Sequence, residues 1–217
     1  MKKNIIASLL FISASAFIIS SCGDSATKSE DAKNVATNAT DTFKLDLASS
    51  AINWRGFKKV GLGEHKGTIG ISEGFIGTTA NAVTAGNFTI DMNTITCTDS
   101  AISAEYNAKL IGHLKSDDFY NVEKFPTAKF AITSVSNDTI SGNLTIRDVE
   151  KNIKFPAKIS INGSELTAEG SVLINRYEWN INYDKENSTL SDKAAAKLKN
   201  GLLSENIEIG LKIKATK

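Results

Sequence analysis

The stretch Ile153-Lys154-Phe155-Pro156-Ala157-Lys158-Ile159-Ser160-Ile161, followed by Asn162-Gly163-Ser164 and then Glu165-Leu166-Thr167-Ala168 on to Val172 and Ile174, decides the fold. Apolar residues fall on every second position before the turn and resume beyond it. That period places one face of each segment in a core and the other in water. Asn-Gly between the two runs is a strong tight-turn signal, so the pair reads as an antiparallel hairpin.

The same alternation recurs on both sides. Phe43-Lys44-Leu45-Asp46-Leu47 opens it, and Ile52 and Trp54 follow on one face. Phe88, Ile90 and Met92 form another set, then Ala128, Phe130 and Ile132, then Ile140, Leu144 and Ile146. Near the C-terminus Ile207, Ile209, Leu211 and Ile213 oppose Glu208, Lys212 and Lys214. Parallel strands would instead show continuous apolar runs. About eight segments with one apolar face each therefore make an all-β antiparallel domain, closed as a sandwich or as a barrel. Two helices interrupt the strands. One is predicted over Ala101 to Lys115, where Ile102, Tyr106, Leu110 and Leu114 form a stripe and Ser100 or Asp99 caps the start. A short second helix is predicted over Asp192 to Lys199, stopped by Gly201.

The N-terminus carries a different message. Lys2 and Lys3 precede an apolar run from Ile5 to Ile19, and Ser20-Ser21 lead to Cys22. This pattern is a secretory signal with a cysteine placed to receive lipid. The run is short for a membrane span. Three parts follow: a signal peptide at 1–21, a lipidated flexible tether at 22–42 poor in large apolar residues, and one domain at 43–217. The expected location is the periplasm or cell envelope, anchored most plausibly to the outer membrane.

Charge and chemistry exclude more than they suggest. Twenty-five basic against 24 acidic residues give no electrostatic footprint for nucleic acid. With Cys22 lipidated, only Cys97 remains, and it reads as structural. His65 and His113 are isolated, without metal-ligand spacing, and neither a phosphate loop nor a nucleotide fingerprint is present. No cofactor or metal is expected. Acid-base chemistry by His113 with Asp117 or Asp118 is the one enzymatic alternative, a hydrolase, and helix capping is the plainer role for those residues.

Ordered motifs then add a resemblance. Gly112-His113-Leu114-Lys115-Ser116-Asp117-Asp118-Phe119-Tyr120 with Phe125-Pro126-Thr127-Ala128-Lys129-Phe130 resembles the central signature of the YceI-like, polyisoprenoid-binding family. Gly142-Asn143-Leu144-Thr145-Ile146-Arg147-Asp148-Val149-Glu150-Lys151 and Ile174-Asn175-Arg176-Tyr177-Glu178-Trp179 resemble two more of its elements, in order. Asp148 stands where the family commonly has glycine, and Trp179-Asn180 replaces a frequent Phe-Gly. The resemblance implies a lipocalin-like, eight-stranded antiparallel barrel with a helical insertion. It also implies non-catalytic binding of an isoprenoid or other long-chain lipid in an apolar tunnel, and a homodimer is reasonable among such proteins. By strand parity Trp54, Phe88, Ile90, Phe130, Leu144, Ile146, Phe155, Val172 and Leu211 are the expected tunnel residues. A structural or stress-related lipoprotein without cargo is the competing expectation, and a solidly packed interior would favour it.

Overall fold

A computed structural model describes residues 25–58, 63–183 and 203–217. The signal segment, Cys22 and the helix expected at Asp192 to Lys199 lie outside the described residues. In chain order the strands are β1 (Glu30–Asp31), β2 (Asp41–Leu45), β3 (Ala51–Lys58), β4 (Glu64–Thr79), β5 (Ala82–Asp91), β6 (Thr127–Ser136), β7 (Thr139–Ile146), β8 (Val149–Asn162), β9 (Glu165–Asn175) and β10 (Leu203–Thr216). Helix α1 (Ala104–Lys115) lies between β5 and β6, and the 3-10 turns η1 (Met92–Thr94) and η2 (Arg176–Trp179) follow β5 and β9.

Neighbouring strands from β3 to β10 pair antiparallel, and β10 returns to β3, which closes the ring. Beyond the start of β3, β2 takes its place, pairing β4 from Asp41↔Thr78 to Lys44↔Phe75 and β10 at Leu45↔Ala215. Strands β2 and β3 are thus successive halves of one stave, and the barrel has eight staves. Closure, rather than a sandwich, resolves the choice left open by strand parity.

Tight turns set the register. Ala80-Asn81, Asn137-Asp138 and Arg147-Asp148 each have two consecutive residues at positive φ, the requirement of a type I′ hairpin. Asp148 and Asn180, where the sequence departs from glycine, have φ of 58° and 57°. Asp and Asn tolerate this left-handed conformation, so the turns survive the replacements. The β6–β7, β8–β9 and β4–β5 turns lie at one end of the barrel, and α1, η2 and the β7–β8 turn lie at the other.

Helix α1 starts three residues later than its apolar stripe suggests. Ser103 caps it, its Oγ accepting from the Tyr106 N–H at 3.2 Å, while Asp99 accepts from Ala101 N and pairs with His65 Nδ1, both at 2.9 Å. Of the expected stripe, Leu110 and Leu114 face the barrel, whereas Tyr106 is 51% exposed.

Residues 25–42, expected as a free tether, are laid along the outside of the barrel. Strand β8 pairs β9 only from Ala157↔Gly170 to Asn162↔Glu165. In the seam beyond, β1 pairs Glu30↔Asn152 and Asp31↔Lys151, and Thr27 N–H donates to Leu173 O at 2.7 Å. The segment then crosses β7, where Asn143 Oδ1 accepts from Lys33 N at 3.0 Å and Asn143 Nδ2 donates to Lys33 O at 2.7 Å. Ala36 N donates to Ile132 O, at the edge of β6 past its last pair with β5, and Thr40 N donates to Thr78 O. Composition missed this because the segment is held through its backbone, with most of its side chains exposed.

Close approach of backbone to backbone matters most at Gly67. A Cβ there would collide with the Thr96 carbonyl and stand 2.7 Å from Trp54 Nε1. It would push apart the 2.9 Å hydrogen bond that Trp54 Nε1 donates to Thr96 O. Gly67→Ala is therefore expected to lower the unfolding free energy by about 2 kcal/mol in urea titrations; a change below about 0.5 kcal/mol would contradict this packing.

Candidate binding cavity

Inward side chains leave a void on the barrel axis of about 60 Å³. Every residue lining it is aliphatic or aromatic. Of the residues expected from parity, Phe88, Ile90, Phe130, Phe155 and Leu211 line this void. Phe130 is central: its ring lies 6.3 Å from that of Phe88 and 5.8 Å from that of Phe155. Gly142 makes this possible, because a Cβ there would occupy the position of the Phe130 ring edge.

Leu144, Ile146 and Val172 are buried, yet they line neither this void nor the next and pack as core. Sequence reasoning missed Ile71 and Ile76 on β4, which do line the void. Both point inward although one is odd-numbered and the other even. The β4–β5 register shifts between Ile71 and Glu73, and such a bulge switches which alternate positions face inward.

A second void of about 70 Å³ lies under α1. Trp54, the next inward residue after Ile52 on β3, lines it together with Leu110, Leu114, Phe119, Tyr120 and Arg176. The two voids follow one another along the axis, since Ile52 lines the first. This second one is polar at its edge. Arg176 is fully buried; its Nε donates to Ser204 O at 3.0 Å and a guanidinium nitrogen donates to Ile181 O at 2.7 Å. Its guanidinium also stacks 4.5 Å from the Tyr177 ring centre. The residue was visible in sequence only as part of the Ile-Asn-Arg motif.

Each histidine pairs with one aspartate, His65 with Asp99 and His113 with Asp118. His113 Nε2 lies 3.1 Å from Asp118 Oδ2 rather than pairing with Asp117, and its ring meets those of Phe119 and Tyr183 edge-on at 5.1 and 4.6 Å. These contacts fasten the end of α1 to the loop after it. Among the described residues no three His, Cys, Asp or Glu side chains converge to hold a metal ion. Cys97 is half-buried, and its carbonyl accepts from Asn107 Nδ2.

Burial pushes the Tyr120 hydroxyl up to about 12, partly countered by the nearby Arg176 charge. Between pH 10 and 12 the folded chain then keeps a proton that the unfolded chain has released. This contribution to stability is complete below pH 10 and is lost as pH climbs through that window. It amounts to about 2 to 3 kcal/mol at most. Tyr120→Phe is expected to flatten the fall in urea-unfolding free energy between pH 10 and 12; an unchanged slope would place the hydroxyl in contact with water.

Comparison with known proteins agrees with this architecture. The model of the YceI-like domain matches residues 43–215. A UPF0312 protein from Enterobacter is 44% identical over 57 residues, covering 24% of this chain and 30% of the relative. A UPF0312 protein of Staphylococcus aureus is 29% identical over 107 residues, covering 44% of this chain and 61% of the relative. The chain thus spans between about a third and three fifths of these relatives' lengths. Among solved structures, a polyisoprenoid binding domain from Saccharophagus degradans superposes with a TM-score of 0.55 at 13% identity, covering 84% of this chain and 99% of that one. Burkholderia cenocepacia BcnA gives a TM-score of 0.56 at 16% identity, covering 79% and 99%. With the closed eight-stave barrel and a family match running nearly the length of it, the chain belongs to the YceI-like domain family.

Proposed function

We propose that this protein is an envelope lipoprotein that holds one long apolar chain, an isoprenoid or similar amphiphile, along its barrel axis, without catalysing a reaction on it. The observation that carries the reading is the pairing of two voids end to end: one wholly apolar, the next apolar with a buried Arg176 at its edge. An amphiphile fits that order, tail first and polar end under α1. The relative from Saccharophagus degradans, a polyisoprenoid binding domain of the same fold, supports the ligand class. The N-terminal pattern ending at Cys22 supports attachment to a membrane through lipid.

Volume sets a condition on this reading. A void of 60 Å³ equals about two water volumes. An apolar cavity of roughly 150 Å³ holds only a benzene ring, so a chain of about twenty carbons enters this smaller one only if lining side chains change rotamer. The energy available is sufficient. Burial gives about 0.8 kcal/mol per methylene, or on the order of 16 kcal/mol gross for such a chain, before ordering and association costs. Phe88, Phe130 and Phe155 are the rings that must swing, since they line the void side by side and are its largest side chains.

Organic extracts of the protein purified from membranes test this by mass spectrometry. The expected result is a long-chain lipid at near one per protein, together with a lipidated peptide beginning at Cys22. Ala168, which lines the void, is the place to block it. Ala168→Leu is expected to keep the β-rich circular dichroism spectrum while lowering retained lipid at least tenfold. Wild-type protein that is empty and fails to take up added polyprenol would reject the carrier reading in favour of a filled structural barrel.

A further inference from the structure

The N-terminal segment does more than join the barrel to its anchor; it fixes where on the barrel the chain leaves. Among the described residues its first contacts are with β9 and η2, where Thr27 N–H donates to Leu173 O and Ser29 Oγ hydrogen-bonds a Glu178 carboxylate oxygen. Both lie toward the barrel end that α1 covers. Cys22 is five residues before Thr27. Five residues fully extended reach at most roughly 18 Å. A tilted strand of about ten residues spans roughly 25 Å along a barrel axis, so the opposite rim lies well beyond that reach when the barrel stands on end.

From this geometry we infer that the segment is an orienting strap, which holds the α1 end of the barrel, and the void beneath it, against the surface of the membrane that carries the anchor. The inference rests on the lipoprotein reading above and adds to it a direction.

Three observations support the direction. The strap is clamped rather than draped. Asn143 reads both backbone groups of Lys33. Behind it Asn152 Nδ2 donates to Asn143 Oδ1 and to Thr133 Oγ1, both at 3.0 Å, and Ser141 Oγ donates to Asn152 Oδ1 at 2.8 Å. Asn143 and Asn152 are 2% and 1% exposed although they sit on outward positions of the barrel, so these amides serve the strap. Second, the rim near the second void presents Tyr106 and Tyr183, 51% and 41% exposed. Each is held by a ring contact, to His65 at 5.8 Å and to His113 at 4.6 Å. Tyrosine suits the headgroup layer, where its ring meets lipid and its hydroxyl meets water. Third, the far rim is made of the turns Ala80-Asn81, Asn137-Asp138 and Asn162-Gly163-Ser164, none of which carries a large apolar side chain. A lipid passing between bilayer and barrel then faces the mouth directly and need not cross water.

The test uses the full chain expressed with its own N-terminus, taken from the membrane fraction and reconstituted in phosphatidylcholine vesicles doped with brominated lipid, which quenches tryptophan at short range. Tyr106→Trp reports the α1 rim and Ser164→Trp the opposite rim, each after subtraction of the wild-type signal from Trp54 and Trp179. The expected result is at least threefold stronger quenching at position 106 than at position 164. Inserting twenty Gly/Ser residues between Cys22 and Ser25 leaves the strap in place, lengthens the leash, and is expected to bring the two close to equal; Asn143→Leu, which removes the clamp, is expected to do the same. Equal or reversed quenching in vesicle-bound protein without the insertion overturns the orientation and leaves the anchor reading standing. Protein that is released from the membrane fraction and does not sediment with vesicles overturns both.

Discussion

Closing a β-sheet on itself leaves one demand that dominates this molecule: every backbone donor and acceptor along every stave needs a partner. Tilted, twisted strands of unequal length do not meet along their whole edges. Here the ring opens at two places, between β8 and β9 toward the α1 end and between β5 and β6 toward the other, where strand pairing stops short. A third gap, beside β4 and β10 past the start of β3, is filled by β2. The N-terminal strap supplies backbone partners at the first two. One continuous stretch, residues 27–45, therefore completes the wall in three places, and only its β2 end, through Phe43 and Leu45, adds side chains to the core.

The interior obeys a different constraint, volume. Inward positions are filled by branched aliphatic and aromatic side chains, and small residues appear where a large neighbour needs the space. Gly142 lies under the Phe130 ring, and Gly67 admits the Trp54 to Thr96 hydrogen bond. The result is a narrow dry axis between well-packed walls. An apolar cavity of this size stays empty of water, because water there would forfeit its hydrogen bonds. Opening it for a chain costs rearrangement of a few rings, and the gain grows with each methylene buried. On the proposed reading such a site would favour long, thin, flexible guests over compact ones.

Period-two alternation made the β class, the antiparallel sense and most inward residues legible, and the motif set with its Arg176 carried the family. Closure was not legible from parity, because a strand with one apolar face suits a sandwich as well as a barrel; it came from the motif resemblance. Parity gives no reading of β4, where a bulge moves Ile76 onto the face that Ile71 occupies from the opposite phase. It also cannot separate a void wall from packed core, so Leu144, Ile146 and Val172 were grouped with Phe130 and Leu211 although only the latter pair reaches the void. The stripe on α1 misled at Tyr106, since a helix capping a barrel mouth buries only the part of its face that overlies the opening.

The strap was invisible for a reason that bears on reading similar chains. A polar, low-complexity segment has no core to bury, and composition alone assigns it to solvent. What holds it is written in the receiving strands instead. Ser141 and Asn143 on β7 and Asn152 on β8 stand at outward positions, where a barrel wall facing water has no need for amides that bond one another. Asparagine is also a poor strand former, so two of them side by side in adjacent strands run against local preference. The conflict is resolved once a third backbone lies across them, because an amide presents a donor and an acceptor spaced to match a peptide unit. A pair of asparagines on the wet face of neighbouring strands, with a polar segment of about fifteen residues upstream, is therefore a sign of a backbone docked on the wall. In this chain that docking decides which end of the barrel lies near Ser25, and so converts a disordered-looking sequence into a statement about geometry.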